Sequence, residues 1–207
     1  MSFRIEKKIA INKRNFFFLK KFLVKNNFKK IYKDRSIFSC YLDNNHFKMY
    51  NDSIEGIVPR KKLRLRSYNE LLSGDIFFEK KISSIEGRFK TSEKINNFNQ
   101  ILSKGYFDKD YGICYPKIIV KYVRTYYKKK NLRLTIDKKI LFSNYNRNFK
   151  SVFFYSFDDY DCAEIKCDNL GEIENLKLNH FLETRNSKYC IGIDHILRSS
   201  NLYTEPF

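Results

Sequence analysis

Arg60, Lys62, Arg64 and Arg66 occupy alternate positions in the stretch VPRKKLRLRSY, with Leu63 and Leu65 between them. Side chains of a strand point to opposite faces in turn, so this segment has one cationic face and one apolar face. Guanidinium and ammonium groups set in a row are chemistry for phosphate oxygens, which they grip through charge-assisted hydrogen bonds. The alternation recurs elsewhere, now with acids among the bases. Arg4, Glu6 and Lys8 share a face in RIEKK, Glu79 and Lys81 in FFEKKI, and Glu164 and Lys166 in AEIKC, while Tyr122, Arg124 and Tyr126 align in VKYVRTYY and Arg133, Thr135 and Asp137 in LRLTID.

One such strand is ordinarily a solvated sheet surface. Several strands with the same division need a cover for their apolar faces and a use for their charged ones. Glu6, Glu79 and Glu164 would only weaken a groove built solely for polyanions. A divalent cation accounts for them, because Mg²⁺ or Mn²⁺ takes hard oxygen ligands from one or two carboxylates together with substrate phosphates. Ion pairing with neighbouring Lys and Arg is the other account, open above all for Glu6 and Glu79.

The elements that must position these groups follow from pattern and punctuation. Asn12 can cap KRNFFFLKKFLVKN, Ser92 opens EKINNFNQILSK before Gly105, and Leu170 to Thr184 carries an apolar stripe at helical spacing. RIEKKIAI, SIFSCYLD, PRKKLRLRSY, DIFFEKKI, IIVKYVRTYY, LRLTIDKKILF and DCAEIKC read as strands. Seven strands and three helices predict an α+β domain on one antiparallel sheet, with helices over the apolar side and charged residues inside a wet, barrel-like interior.

The 207 residues suit one domain, 1–207, and no Gly-, Ser- or Pro-rich linker divides them. Lys and Arg outnumber Asp and Glu by 41 to 23, a formal charge of +18 that calls for a polyanionic partner. Cys40, Cys114, Cys162, Cys167 and Cys190 form no CxxC pair and read as reduced, mostly buried thiols. No signal-peptide core and no long apolar window is present, so the expected location is the cytoplasm.

RIEKK, then YLDNNHFKMY with PRKKLRLRSY, FFEKKI with GRFK, VRTYY with LRLTID, AEIK and finally SKYCIGI stand in the order and spacing that resembles the vacuolar transporter chaperone (VTC) domain, of the CYTH or triphosphate tunnel metalloenzyme superfamily. The resemblance covers the chain from Phe3 to Ile193. It implies a closed antiparallel β-barrel, a triphosphate tunnel with a charged interior, flanked by about three or more helices. It also implies a polyphosphate polymerase, which moves the γ-phosphate of ATP onto a growing polyphosphate chain with Mn²⁺ or Mg²⁺ bound. By motif, Lys81, Arg64, Arg66 and Arg124 match catalytic, phosphate-gripping positions, with Lys8, Arg133 and Lys188 as further phosphate contacts. Arg60, Lys62 and Lys166 join them through the alternation, and Glu164 matches the metal-binding glutamate, with Glu6 and Glu79 as further candidates.

Arg4 replaces the first acid of the hydrolases' E-x-E-x-K pattern, which favours the VTC branch. Ser83 stands where active polymerases often carry His. The chemistry needs no histidine, so His46, His180 and His195 are expected at the surface or in loops. Tripolyphosphate hydrolysis, with Glu6 or Asp137 as base, is the alternative enzyme reading. A non-catalytic module binding polyphosphate or inositol phosphates is the third; nucleic acid is not expected as a partner.

Overall fold

In the computed structural model, the structure describes residues 5–146, 153–155, 161–167, 170–174, 176, 178, 181–185 and 187–202. In chain order the elements are β1 (Ile5–Ile11), α1 (Lys13–Lys25), β2 (Lys29–Lys30), β3 (Arg35–Asp43), α2 (Lys48–Glu55), β4 (Arg60–Tyr68), β5 (Ile76–Ser83), β6 (Arg88–Ile95), α3 (Phe98–Lys104), β7 (Tyr106–Asp108), β8 (Gly112–Lys129), β9 (Leu132–Asn144), β10 (Asp161–Cys167), α4 (Leu170–Glu174) and α5 (Lys188–Leu202). The strands form one sheet in the order β1-β10-β9-β8-β3-β4-β5-β6, with β2 and β7 paired to β8. Every ladder with a described register is antiparallel. The path has two ends, and among the described residues no ladder joins β1 to β6, so the sheet is open where a closed ring was expected. Its β6 end is largely exposed and carries Arg88, Lys90, Glu93 and Lys94, the charged composition that keeps an edge strand from recruiting another.

The chain divides into two compact units, to both of which β8 and β9 contribute. In the first, residues 1–36, 122–140 and 156–186, the apolar faces of β1, β9 and β10 supply Ile9, Ile11, Leu134, Ile136, Ala163 and Ile165 to a buried core. Leu19 and Leu23, one helical turn apart on α1, close it from above. Asn12 caps that helix, its side chain accepting from the Asn15 amide at 2.8 Å. The alternation in the strands therefore does what it promised: the residues between the buried ones, Glu6, Lys8, Glu164, Lys166, Arg133 and Thr135, lie on the opposite face.

In the second unit, residues 37–121, 141–155 and 187–207, Leu63 and Leu65 of β4 are fully buried beside Cys40, Leu42 and Phe78. Lys61 shares their face and is satisfied there by both oxygens of Asp108, at 2.8 and 3.1 Å. Asp43, also buried, accepts the Met49 and Tyr50 amides at 3.0 Å each and so caps the first turn of α2. It also receives the Tyr189 hydroxyl, which ties α5 to β3 and α2. All five cysteines are free, as expected, and all five are buried.

Two of the helix expectations change. Residues from Ser92 onward begin as the end of β6, because Arg88–Ile95 pairs along its whole length with β5, and α3 starts only at Phe98. Gly105 does end that helix, with a left-handed φ of +79°. The helix expected from Leu170 to Thr184 is the short α4, and Glu183 instead bridges to Ile9 of β1. Among the described residues no helix is long and apolar enough to cross a membrane.

Candidate phosphate and metal site

On β4 and its neighbours, register turns the sequence alternation into a grid. Tyr41, Arg64, Glu79 and Ser92 lie opposite one another across β3, β4, β5 and β6. One step along, Ser39, Arg66, Phe77 and Lys94 form the next row, and on the other side Lys62, Lys81 and Lys90 form a row of three ammonium groups.

Glu79 is the hub of this face. Its side chain is 3% exposed, and its Oε2 accepts from Arg64 Nε at 2.7 Å and lies 3.4 Å from Arg66 Nη1. Oε1 accepts from Lys90 Nζ at 2.7 Å and Ser92 Oγ at 3.4 Å. Burial works to raise its pKa, but Arg64, Arg66 and Lys90 together hold it down at about 2. With both oxygens taken, Glu79 neutralises cations; of its two sequence readings, ion pairing describes these contacts.

Tyr41 faces the same group, accepting from Arg64 Nη1 at 3.0 Å and stacking on Tyr189 at 5.2 Å between ring centroids. Burial raises its pKa, yet Arg64, Arg66 and the charge of Lys188 at the start of α5 bring it below the ordinary tyrosine value. Lys62 donates to Ser187 Oγ at 2.9 Å, beside Cys190 Sγ at 3.7 Å. Arg60 gives its Nη1 to the carbonyls of Gly56 and Ile57, at 3.3 and 2.9 Å. Lys90, Tyr41 and Ser92 were not foreseen. Lys90 and Ser92 fell in the stretch divided between GRFK and a supposed helix, whereas Tyr41 stood in a correctly read strand, SIFSCYLD, whose facing partner the sequence does not name.

The second set lies on β1, β10 and β9. Lys8, Glu164 and Thr135 form one row, and Glu6, Lys166 and Arg133 the next. Lys166 Nζ sits 3.1 Å from Glu6 Oε1 and 3.4 Å from Glu164 Oε1, between two carboxylates that are 9% and 12% exposed. Burial pushes Glu164 up, while Lys166, Lys8 and Arg124 outweigh it and keep the carboxyl below its usual range, so Glu164 is an anion at neutral pH. Arg124 is engaged bidentately by Asp137, Nε to Oδ1 at 2.5 Å and Nη2 to Oδ2 at 2.7 Å.

Thr135 Oγ1, directly opposite Glu164, is buried and has no hydrogen-bond partner among the described residues. A buried hydroxyl without a partner marks a place where a further group belongs. Among the described residues no cluster of three or more His, Cys, Asp or Glu forms a ready-made metal cage. Two carboxylates with an orphaned hydroxyl nearby is nonetheless the donor set that Mg²⁺ or Mn²⁺ uses when phosphate and water complete its shell.

His46 is exposed in the turn before α2, and His195 is half-buried on α5, where a surface or loop position was expected; Arg4 and His180 lie outside the described residues.

The family model of the VTC domain matches residues 3–197, nearly the whole chain. The chain belongs to the VTC domain family. No curated protein matches it by sequence. Among solved structures, this VTC domain is similar to a Hippeastrum protein described as an adenylyl cyclase candidate with a dominant triphosphatase activity. The identity is 13%, the TM-score is 0.57, and the match covers 94% of this chain and 96% of that one. A Vibrio parahaemolyticus protein described as an adenylate cyclase candidate matches at 13% identity and a TM-score of 0.52, over 90% of this chain and 95% of that one. These likenesses establish the fold as the one these proteins share: α+β, on an antiparallel sheet.

Proposed function

We propose that this VTC domain is a phosphotransferase that moves the γ-phosphate of ATP onto the end of a polyphosphate chain. The observation that carries the reading is the grid around Glu79, where Arg64, Arg66 and Lys90 converge on one buried carboxylate and Lys62 and Lys81 share the same sheet face. Like charges so placed repel, and a bound polyphosphate relieves them. Arg64 and Arg66 grip phosphate oxygens, and Tyr41 and Glu79 hold the Arg64 fork in place from two sides. Lys62, Lys81 and Lys188 extend the cationic contact.

Glu164 and Glu6 are the residues that hold a divalent cation, with Lys166 limiting the repulsion between them and Thr135 Oγ1 gaining a partner. When bound, that cation would supply charge neutralisation to phosphate oxygens at these strands. Lys8 and Arg133 lie in the two rows of this pair, and Asp137 fixes the plane of the Arg124 guanidinium through two hydrogen bonds. No general base is needed, because the attacking terminal phosphate is already an anion. Asp137, one of the carboxylates that a hydrolase would use to activate water, is engaged on both oxygens by Arg124, which supports transfer to phosphate over transfer to water.

The test is incubation of the purified protein with ATP and Mn²⁺ or Mg²⁺, followed by separation of products by chain length. A ladder of polyphosphate with matching ADP supports the assignment. Tripolyphosphate cleaved to orthophosphate, with no ladder from ATP, replaces it with the hydrolase.

A further inference from the structure

Helix α1 covers the first unit's core with Leu19 and Leu23, but its outer side is not the polar surface that a covering helix ordinarily shows. Phe17, Phe18 and Val24 are 57%, 51% and 78% exposed. Around them stand Arg14, Lys20, Lys21 and Lys25, all exposed, and the helix contains no acid. The cationic character continues beyond it: residues 13–35 hold nine Lys and Arg against Asp34 alone, with Ile31 and Tyr32 also exposed. Nothing in the phosphate site uses this face.

We propose that the outer face of α1 docks on an anionic lipid bilayer, with Phe17, Phe18 and Val24 entering the headgroup and acyl boundary and the lysines reaching up to lipid phosphates. Apolar side chains ringed by lysines are the composition of an interfacial helix, and each added cation near an anionic leaflet strengthens binding. Two other occupants fit less well. A second copy would bring like charges face to face. A nucleic acid would stack bases on aromatic faces, but Lys21 Nζ lies 4.4 Å over the Phe17 ring and Phe17 meets Phe18 edge-on at 69°. What the helix offers outward is ring edges and an aliphatic side chain, suited to hydrocarbon.

The chain contains no Trp, so Phe18→Trp installs a single reporter. Its emission is followed against phosphatidylcholine vesicles with and without phosphatidylserine, in excess tripolyphosphate so that the phosphate-binding face is occupied. The expected result is a blue shift with the anionic vesicles only. Co-sedimentation of a Phe17→Ser, Phe18→Ser protein should be at least about tenfold weaker than wild type, because less apolar surface enters the interface. The residues are exposed, so its thermal melting should match wild type and confirm the fold. No blue shift, vesicle binding that tripolyphosphate abolishes, or equal binding by the double variant would overturn the proposal. So would a phenylalanine-dependent affinity for RNA, or self-association through α1, in the absence of any lipid effect.

Discussion

Glu79→Gln separates the two things that Glu79 does. The side chain keeps its size, but an amide replaces the only carboxylate in contact with Arg64, Arg66 and Lys90 among the described contacts. The folded-state pKa of about 2, against an ordinary 4.5, corresponds to about 3 kcal/mol of stabilisation at neutral pH, at 1.36 kcal/mol per unit. Breaking a buried pair by removing one partner costs about 3–5 kcal/mol, which agrees. For a chain of this size, about 2–4 °C per kcal/mol puts the loss of Tm near 6–12 °C without ligand. Tripolyphosphate should then raise the variant's Tm more than it raises the wild type's, because the anion now supplies the missing negative charge.

The pH dependence has a definite sign. A depressed carboxyl pKa stabilises the fold fully above the unfolded value of 4.5, and that contribution falls away as the pH drops through 4.5 toward 2. Urea unfolding at a series of pH values should therefore show wild type and Glu79→Gln converging, with about half of the neutral-pH difference gone by pH 3. A variant as stable as wild type at pH 7, or a difference that stays constant down to pH 3, would refute the reasoning.

Further outcomes follow from the same geometry. Arg64→Ala should lose tripolyphosphate-induced thermal stabilisation while still melting cooperatively, since Leu63 and Leu65 pack the strand and Arg66 and Lys90 still face Glu79. Asp137→Asn should lower stability by about 3 kcal/mol or more in urea unfolding, because it strips a buried guanidinium of its bidentate partner. Gly192→Ala in α5 should cost about 1–3 kcal/mol, as its Cβ would stand 2.2 Å from Ile118 Cδ1 and 2.9 Å from Phe142 Cδ1; an unchanged Tm would contradict the packing described there.

The strands were legible because the period-2 alternation is local: Arg60 to Arg66 and Glu164 to Lys166 declare their faces in a few residues. Register is not local. That Glu79 would stand opposite Arg64, and Thr135 opposite Glu164, is decided by which strands pair, so the sequence could place these residues on charged faces without saying which oxygen meets which nitrogen. Helices failed where tertiary pairing overrode local signals: Ser92 and its downstream apolar residues look like a capped helix, but β5 offers Arg88–Ile95 a continuous ladder. Helix α5 was missed for the reverse reason. KYCIGIDHILRSSNL has Gly and repeated Ile, poor helix formers, and is held in place by Tyr189 on Asp43 and Tyr50 on Asp194, contacts from distant segments.

The most direct test of phosphoryl transfer at this site follows the γ-phosphate of labelled ATP in wild type and Glu164→Gln, with divalent metal titrated. Wild type should place the label in polymer, in proportion to ADP and only with metal present. Glu164→Gln should lose turnover yet still be thermally stabilised by tripolyphosphate without metal, since one negative charge has left a cationic face. Label released only as orthophosphate, or a Glu164→Gln protein that turns over ATP with an ordinary metal dependence, would contradict the account.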